Sequence, residues 1–153
     1  MSQTTWITPI TDRTSADVAA RTPKAFIHAE DLRRVEGNIE YLSNYLNSRR
    51  YNIAVFPTKL WLRENIPTTN DIRRICDRIE AIVKAYYHPD DYADISNLFN
   101  RRLTASDMND VERNLLGIKV MLEMGIHFNT HFILSSRTHN QMRKYTHNQL
   151  RKN

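Results

Sequence analysis

The chain is short of cysteine, glycine and long apolar runs, and its last stretch lacks acids; each shortage narrows what 153 residues can do. A lone Cys76 excludes an internal disulfide and leaves any cysteine-based zinc site short of ligands, which favours a cytosolic origin. Three glycines cannot furnish a phosphate-cradling loop or a dinucleotide fingerprint. No apolar run approaches the roughly 20 residues needed to cross a bilayer, and residues 1 to 27 lack a basic-then-apolar leader. The expectation is a protein that neither spans a membrane nor leaves by a recognisable signal. With 41% apolar residues and a mean hydropathy of −0.60, it reads as soluble. Its length suits one ordinary domain, able to bury roughly 70% of the surface of its unfolded form.

Charge is unevenly placed. The formal net charge is +5, yet beyond Met124 there are five basic residues (Arg137, Arg143, Lys144, Arg151, Lys152) and no acidic one, so residues 1 to 124 balance. Basicity is a property of the C-terminal stretch.

What is present is a pattern used three times: Asp31-Leu-Arg-Arg-Val-Glu-Gly-Asn-Ile-Glu-Tyr-Leu42, Asp71-Ile-Arg-Arg-Ile-Cys-Asp-Arg-Ile-Glu-Ala-Ile82 and Asp107-Met-Asn-Asp-Val-Glu-Arg-Asn-Leu-Leu-Gly-Ile118. Each begins with Asp and sets apolar residues at offsets of 3, 4 and 3. That spacing lines one side of a 3.6-residue helix and suits no strand. The fold class that follows is all-α, a small bundle of three main amphipathic helices with an extended N-terminal arm and a basic C-terminal tail. In domain terms, residues 1 to 27 are the partner-binding arm, 28 to 124 the helical core and 125 to 153 the basic extension.

The helix limits follow from local chemistry. The first runs from about Glu30 to Arg49, with Leu32, Val35, Ile39, Leu42 and Leu46 inward. The second opens at Thr68-Thr-Asn-Asp71 and the third at Thr104-Ala-Ser-Asp107, where a hydroxyl and a carboxylate three residues on satisfy free backbone amides reciprocally. The second continues to about Tyr87, before Pro89, and the third ends near Met124-Gly125, where glycine suits a left-handed cap. Between Arg50 and Pro67 the chain is too apolar for a solvent loop and should pack down, with a short strand or single turns. A helical turn is expected at Ser15–Arg21, capped by Thr14 or Ser15, and a short helix within 92 to 103 carrying Tyr92, Ile95, Leu98 and Phe99. Residues 127 to 134 mix aromatic and β-branched side chains over a strand-like length.

Candidate chemistry is sparse. His127 and His131 are four apart, with His139 and His147 following, but no Asp, Glu or Cys follows Met124 to complete a metal site. Cys76 lies on the apolar side of its helix and reads as a small core residue. Asp31, Asp71 and Asp107 share one first-turn position, where a carboxylate favours the helix dipole by about 0.3–1 kcal/mol, so capping accounts for all three. No Ser/His/acid constellation is identifiable, so no catalytic, cofactor-binding or metal residue is assigned. The Arg33-Arg34 and Arg73-Arg74 pairs, diluted by Glu36, Glu40, Asp77 and Glu80, read as solvated or intrahelical ion-paired faces. Trp61, among Phe56, Leu60 and Leu62, reads as core; Trp6, in a polar arm, suits a partner at least as well.

The arm Trp6-Ile-Thr-Pro-Ile-Thr-Asp-Arg-Thr14, the following Asp31-Leu-Arg-Arg-Val-Glu-Gly-Asn38 helix, and Pro67-Thr68, Arg74-Ile75 and Asn109-Asp110-Val-Glu112 together resemble a module of tail and baseplate proteins from bacteriophages and prophages of Firmicutes. Arg33 stands where that module carries Asn, and the last 28 residues have no counterpart. The resemblance implies a non-enzymatic virion subunit, made in the host cytoplasm and placed in the tail, with other tail or baseplate proteins as partners and symmetric homo-oligomers. It brings no catalytic residue and no cofactor. On the combined reading, Trp6, Pro9, Asp12 and Arg13 in the arm, and Phe128, Phe132, Arg143 and Tyr145 in the tail, are the expected partner contacts. The alternative is a small helical nucleic-acid-binding protein using its basic C-terminal tail, recognisable by a steep loss of binding with salt.

Overall fold

The computed structural model describes residues 5–125. Its elements in chain order are a short α1 (Ser15–Ala20), a 3-10 turn (Pro23–Ala25), α2 (Ala29–Ser48), α3 (Thr69–Ala85), a second 3-10 turn (Leu98–Asn100) and α4 (Ala105–Glu123). The described residues are all-α and contain no strand. The chain divides into two compact units, Met1–Val120 and Met121–Asn153; of the second, the described part is the end of α4 and the residues to Gly125. Phe128, Phe132, Arg143, Tyr145, the four histidines from His127 onward and the strand expected at 127–134 lie outside the described residues.

The helices start where capping chemistry puts them. Thr68 Oγ1 accepts from Asp71 N at 3.3 Å while Asp71 Oδ2 accepts from Thr68 N at 2.9 Å, and Thr104 with Asp107 repeats this at 3.2 and 2.8 Å. At α2 the N-cap is His28, whose backbone N–H donates to Asp31 Oδ2 at 2.8 Å. At α1 it is Thr14, paired with Asp17. Gly125 sits at φ 70°, the left-handed geometry expected after the last helix. The second helix stops at Ala85, two residues short of Tyr87.

All twelve apolar positions of the repeated stripe are buried, from 0% exposure at Ile39, Leu42, Ile79, Ile82, Leu115 and Ile118 to 8% at Ile72. Trp61, Ile95, Leu98, Tyr51 and Ile53 from the connections complete this core. Ile27, Pro67 and Leu103, each one residue before a helix cap, line a single hollow with Thr68 and Thr69, so α2, α3 and α4 all enter the bundle at one end.

The 50–67 connection departs from expectation. It forms no strand, and only part of it packs down: Tyr51, Ile53 and Trp61 are buried, whereas Val55, Phe56, Leu60, Leu62 and Ile66 are 48%, 52%, 75%, 43% and 83% exposed. The reason is that its backbone is fixed at a few points by helix side chains, Asn47 at Ile53 and Glu36 at Lys59, and the residues between those points have no helix surface of their own. Likewise the 92–103 stretch makes one 3-10 turn in place of a short helix.

Truncating Ile79 to Ala should cost about 2–5 kcal/mol of unfolding free energy, measured by urea denaturation followed by circular dichroism. A loss well under 1 kcal/mol would place this side chain outside the working core.

Candidate functional site

Among the described residues the extended arm has no neighbouring strand, so its backbone N–H and C=O groups pair with other partners there. Helix side chains supply them. Asn38 of α2 accepts from Ile7 N at 2.9 Å and donates to Ile7 O at 2.7 Å. Asn109 of α4 does the same for Arg13, at 3.1 and 2.8 Å, and between them Ile10 N donates to Glu112 Oε2 at 2.7 Å. A carboxamide carries both a donor and an acceptor, so one Asn can stand in for a strand residue. The device recurs in the connections, where Asn47 holds Ile53 and Asn114 holds Ala93 in the same two-way manner.

Beneath the arm lies a buried ionic cluster. Arg13 donates through one terminal nitrogen to Asp31 Oδ1 and Glu112 Oε1, each at 2.9 Å, and through the other to its own chain's Ile10 O at 2.6 Å. Arg34 of α2 makes a two-pronged pair with Glu112, Nε to Oε2 at 2.9 Å and NH2 to Oε1 at 2.8 Å, and also bonds Asp31. Side-chain exposure is 1% for Arg13 and Glu112, 8% for Asp31 and 11% for Arg34. Two cations and two anions balance, which is what makes burial of four charges tolerable. Burial raises the Asp31 carboxyl, but the His28 N–H and the Arg34 and Arg13 guanidiniums outweigh it and hold the pKa below the usual range. Burial lowers Arg34 and its two carboxylate partners more than restore it, so its pKa rises.

A second cluster is built on Glu36 of α2. Its carboxylate accepts from Lys59 N at 2.7 Å and from Trp61 Nε1 at 3.2 Å, pairs with Arg74 of α3, and lies 4.0 Å from the Arg78 guanidinium. Glu36 and Glu112 occupy the same place in the repeat, five residues after Asp31 and Asp107. Each is 1% exposed, and each joins a neighbouring helix to an extended segment.

The arm residues expected to meet a partner are divided by this geometry. Arg13 is spent inside the chain. Trp6 is half-buried, its ring 5.8 Å from that of Tyr41 with Lys119 Nζ 5.3 Å from its centroid. Pro9 is half-buried, and Asp12 is exposed and paired with Lys24 at 2.6 Å. The arginine pairs divide: Arg34 is buried and bonds Asp31 on its own helix as well as Glu112 on α4, and Arg74 bonds across helices to Glu36. Arg33 and Arg73 are exposed, as on a solvated face, with Arg33 Nε donating to Trp61 O at 2.7 Å and the Arg73 guanidinium 4.4 Å over the Phe99 ring. Cys76 is buried, its thiol pushed up to about 11 by burial and then by Asp77 and Glu80. Asn38, Asn109 and Glu112, which do most to hold the arm, enter the sequence reading through the resemblance alone, with no contact assigned to them. The identical Glu and Asn at equivalent offsets in the first and third copies was the available sign.

Comparison with protein-family models, curated proteins and solved structures finds no match for the chain.

Removing one partner of the cluster strands the others. Arg13→Ala or Glu112→Leu should each cost about 3–5 kcal/mol in denaturant unfolding, whereas Asp12→Ala, at an exposed pair, should leave the unfolding curve nearly unchanged. Equal effects for Arg13 and Asp12 would remove the clasp from this account. Acid should act through the caps. Burial raises the Asp71 carboxyl, yet the Lys59 ammonium at 2.9 Å and the Thr68 donors hold it down at about 2. Asp31 and Asp107 are depressed as well. A depressed folded pKa gives stability that is complete above the unfolded value of about 3.9 and is lost as pH falls through the folded one. Thermal midpoints should therefore hold from neutral to about pH 5 and fall steeply toward pH 2, with Asp71→Asn flattening that acid limb; an unchanged limb would refute the assignment.

Proposed function

We propose that this chain is a non-enzymatic structural subunit of a bacteriophage tail or baseplate, a connector or fibre-attachment piece working among symmetric copies and other tail proteins within the virion. The observation that carries the reading is spatial. Of the residues that resemble the phage module, Trp6 to Thr14, Asp31 to Asn38 and Asn109 to Glu112 are joined in the arm clasp, although they are scattered over more than 100 positions, while Pro67-Thr68 and Arg74-Ile75 lie outside it. A likeness confined to one local stretch would be compatible with chance; a likeness tracking one tertiary device bears on the fold as a unit.

Two further features support the role. The clasp holds the arm to the helices at Ile7, Ile10 and Arg13, which fixes where its exposed side chains, Ile7 and Asp12, are presented. The exposed Val55, Phe56 and Leu60 leave apolar surface that an assembly would cover. Under this reading Arg13 acts by positioning the arm, and partner contact falls to the arm's exposed side chains and to the 54–62 stretch.

Mass spectrometry of gradient-purified particles from a host producing the phage is the test. The chain should be present in fixed ratio to a known tail protein, and the double variant Phe56→Ser, Leu60→Ser should fold yet be depleted from particles. A chain abundant in the lysate and missing from particles would overturn the proposal.

A further inference from the structure

At the end where the helices enter, the bundle carries a groove of two adjoining hollows. The larger, about 550 Å³, is walled by Ile66, Ile72, Phe99 and Leu103. The smaller, about 410 Å³, shares Ile27 and Pro67 with it and extends to Leu32 and Arg63. Ile66, on the wall of the larger hollow, is 83% exposed. The hollows are open and contiguous and share Ile27 and Pro67; apolar side chains make up about half of the larger one's lining, with Thr68, Thr69 and Asn100 among the rest.

Around the larger hollow the charge without an opposite partner is cationic, while the smaller carries both Arg63 and Glu30. Arg102 lines the larger hollow, is exposed and has no ion pair among the described residues. Arg73 lies against the Phe99 ring, likewise without a carboxylate partner there. Arg63, 90% exposed at the side-chain level, reaches Glu30 only at 3.9 Å. The nearby acids are already committed: Asp107 to Arg101 and Thr104, Asp71 to Lys59 and Thr68. What remains at the larger hollow is the apolar group Ile27, Ile66, Ile72, Phe99 and Leu103 beside two guanidiniums without a carboxylate, Arg102 and Arg73, the complement of a segment that alternates apolar and acidic side chains.

We propose that this groove docks an extended, acidic and apolar segment of a partner protein. An extended chain sets alternate side chains about 7 Å apart on one face. Its apolar residues fill the larger hollow against Ile66, Ile72, Phe99 and Leu103, and its carboxylates meet Arg102 and Arg73. Guanidinium favours this over a phosphate-free apolar ligand because it can take carboxylate in a two-pronged bond. The site goes beyond the tail-subunit reading and does not depend on it, since it needs only a partner with this chemistry.

The probe is a capped eight-residue peptide alternating leucine and aspartate, titrated into the full-length ¹⁵N-labelled chain. Amide shifts should move saturably and together at Ile66, Thr69, Phe99, Arg102 and Leu103. Arg102→Glu and, separately, Ile66→Ser should each weaken binding about tenfold or more while leaving the remaining spectrum in place. Arg50→Glu, at an exposed position away from the groove, should leave it unchanged. A peptide with lysine for aspartate should fail to bind. No saturable shifts in the groove, or equal binding of the lysine peptide, overturns the proposal. So does concentration-dependent self-association abolished by the two groove variants, which would give the groove to a second copy of the chain.

Discussion

A carboxylate withdrawn from water between two helices must be met by a cation or the arrangement fails, and Glu112 and Glu36 impose that demand on the whole of the bundle. The energetic content lies in the asymmetry. A satisfied buried pair gains little over apolar packing, while an unsatisfied one costs several kcal/mol. Such pairs therefore act chiefly by excluding alternatives: any docking of α4 on α2 that separates Glu112 from Arg34 strands a charge, as does any placement of α3 that separates Arg74 from Glu36. Greasy stripes alone would tolerate sliding by a turn; these contacts do not.

The three copies of the repeat use this logic in rotation. The Glu of the third copy meets the Arg of the first, and the Glu of the first meets the Arg of the second. The rotation would close with the second copy meeting the third, but there the equivalent positions are Cys76 and Asp110, which form no such pair. That side is held by other means: Asn114 clasps Ala93, the Tyr92 hydroxyl donates to Glu80 at 2.7 Å, and Pro89 sits 3.5 Å from where a side chain at Gly117 would begin. Near-symmetry in the stripe thus coexists with three different polar solutions.

The stripe was legible because period is a property of neighbours in sequence: Leu32, Ile79 and Leu115 are buried for the reason their spacing gives. The caps were legible for the same reason, since Thr68 and Asp71 or Thr104 and Asp107 meet three residues apart. The clasp was not, because Arg13 and Glu112 have no local relation and charge near helix faces ordinarily means solvent. The 50–67 connection misled in the opposite sense. Its composition promised burial, but the folded chain anchors it at Ile53, Lys59 and Trp61 and leaves Leu60 and Ile66 facing water. Composition reports how much apolar surface a segment owns, while tertiary anchoring decides which part is hidden.

The arm's partner residues have a consequence for how the protein is born. Ile10 donates to a glutamate 102 positions downstream, so the arm leaves the ribosome well before the helix that seats it. Until α4 emerges, Arg13 can reach Asp31 but neither Glu112 nor Asn109, and the strap is translated ahead of the helices it crosses. Translation order and docking order run in opposite directions, and a nascent chain passes through a stage in which its helices have begun to form while the arm is still at liberty.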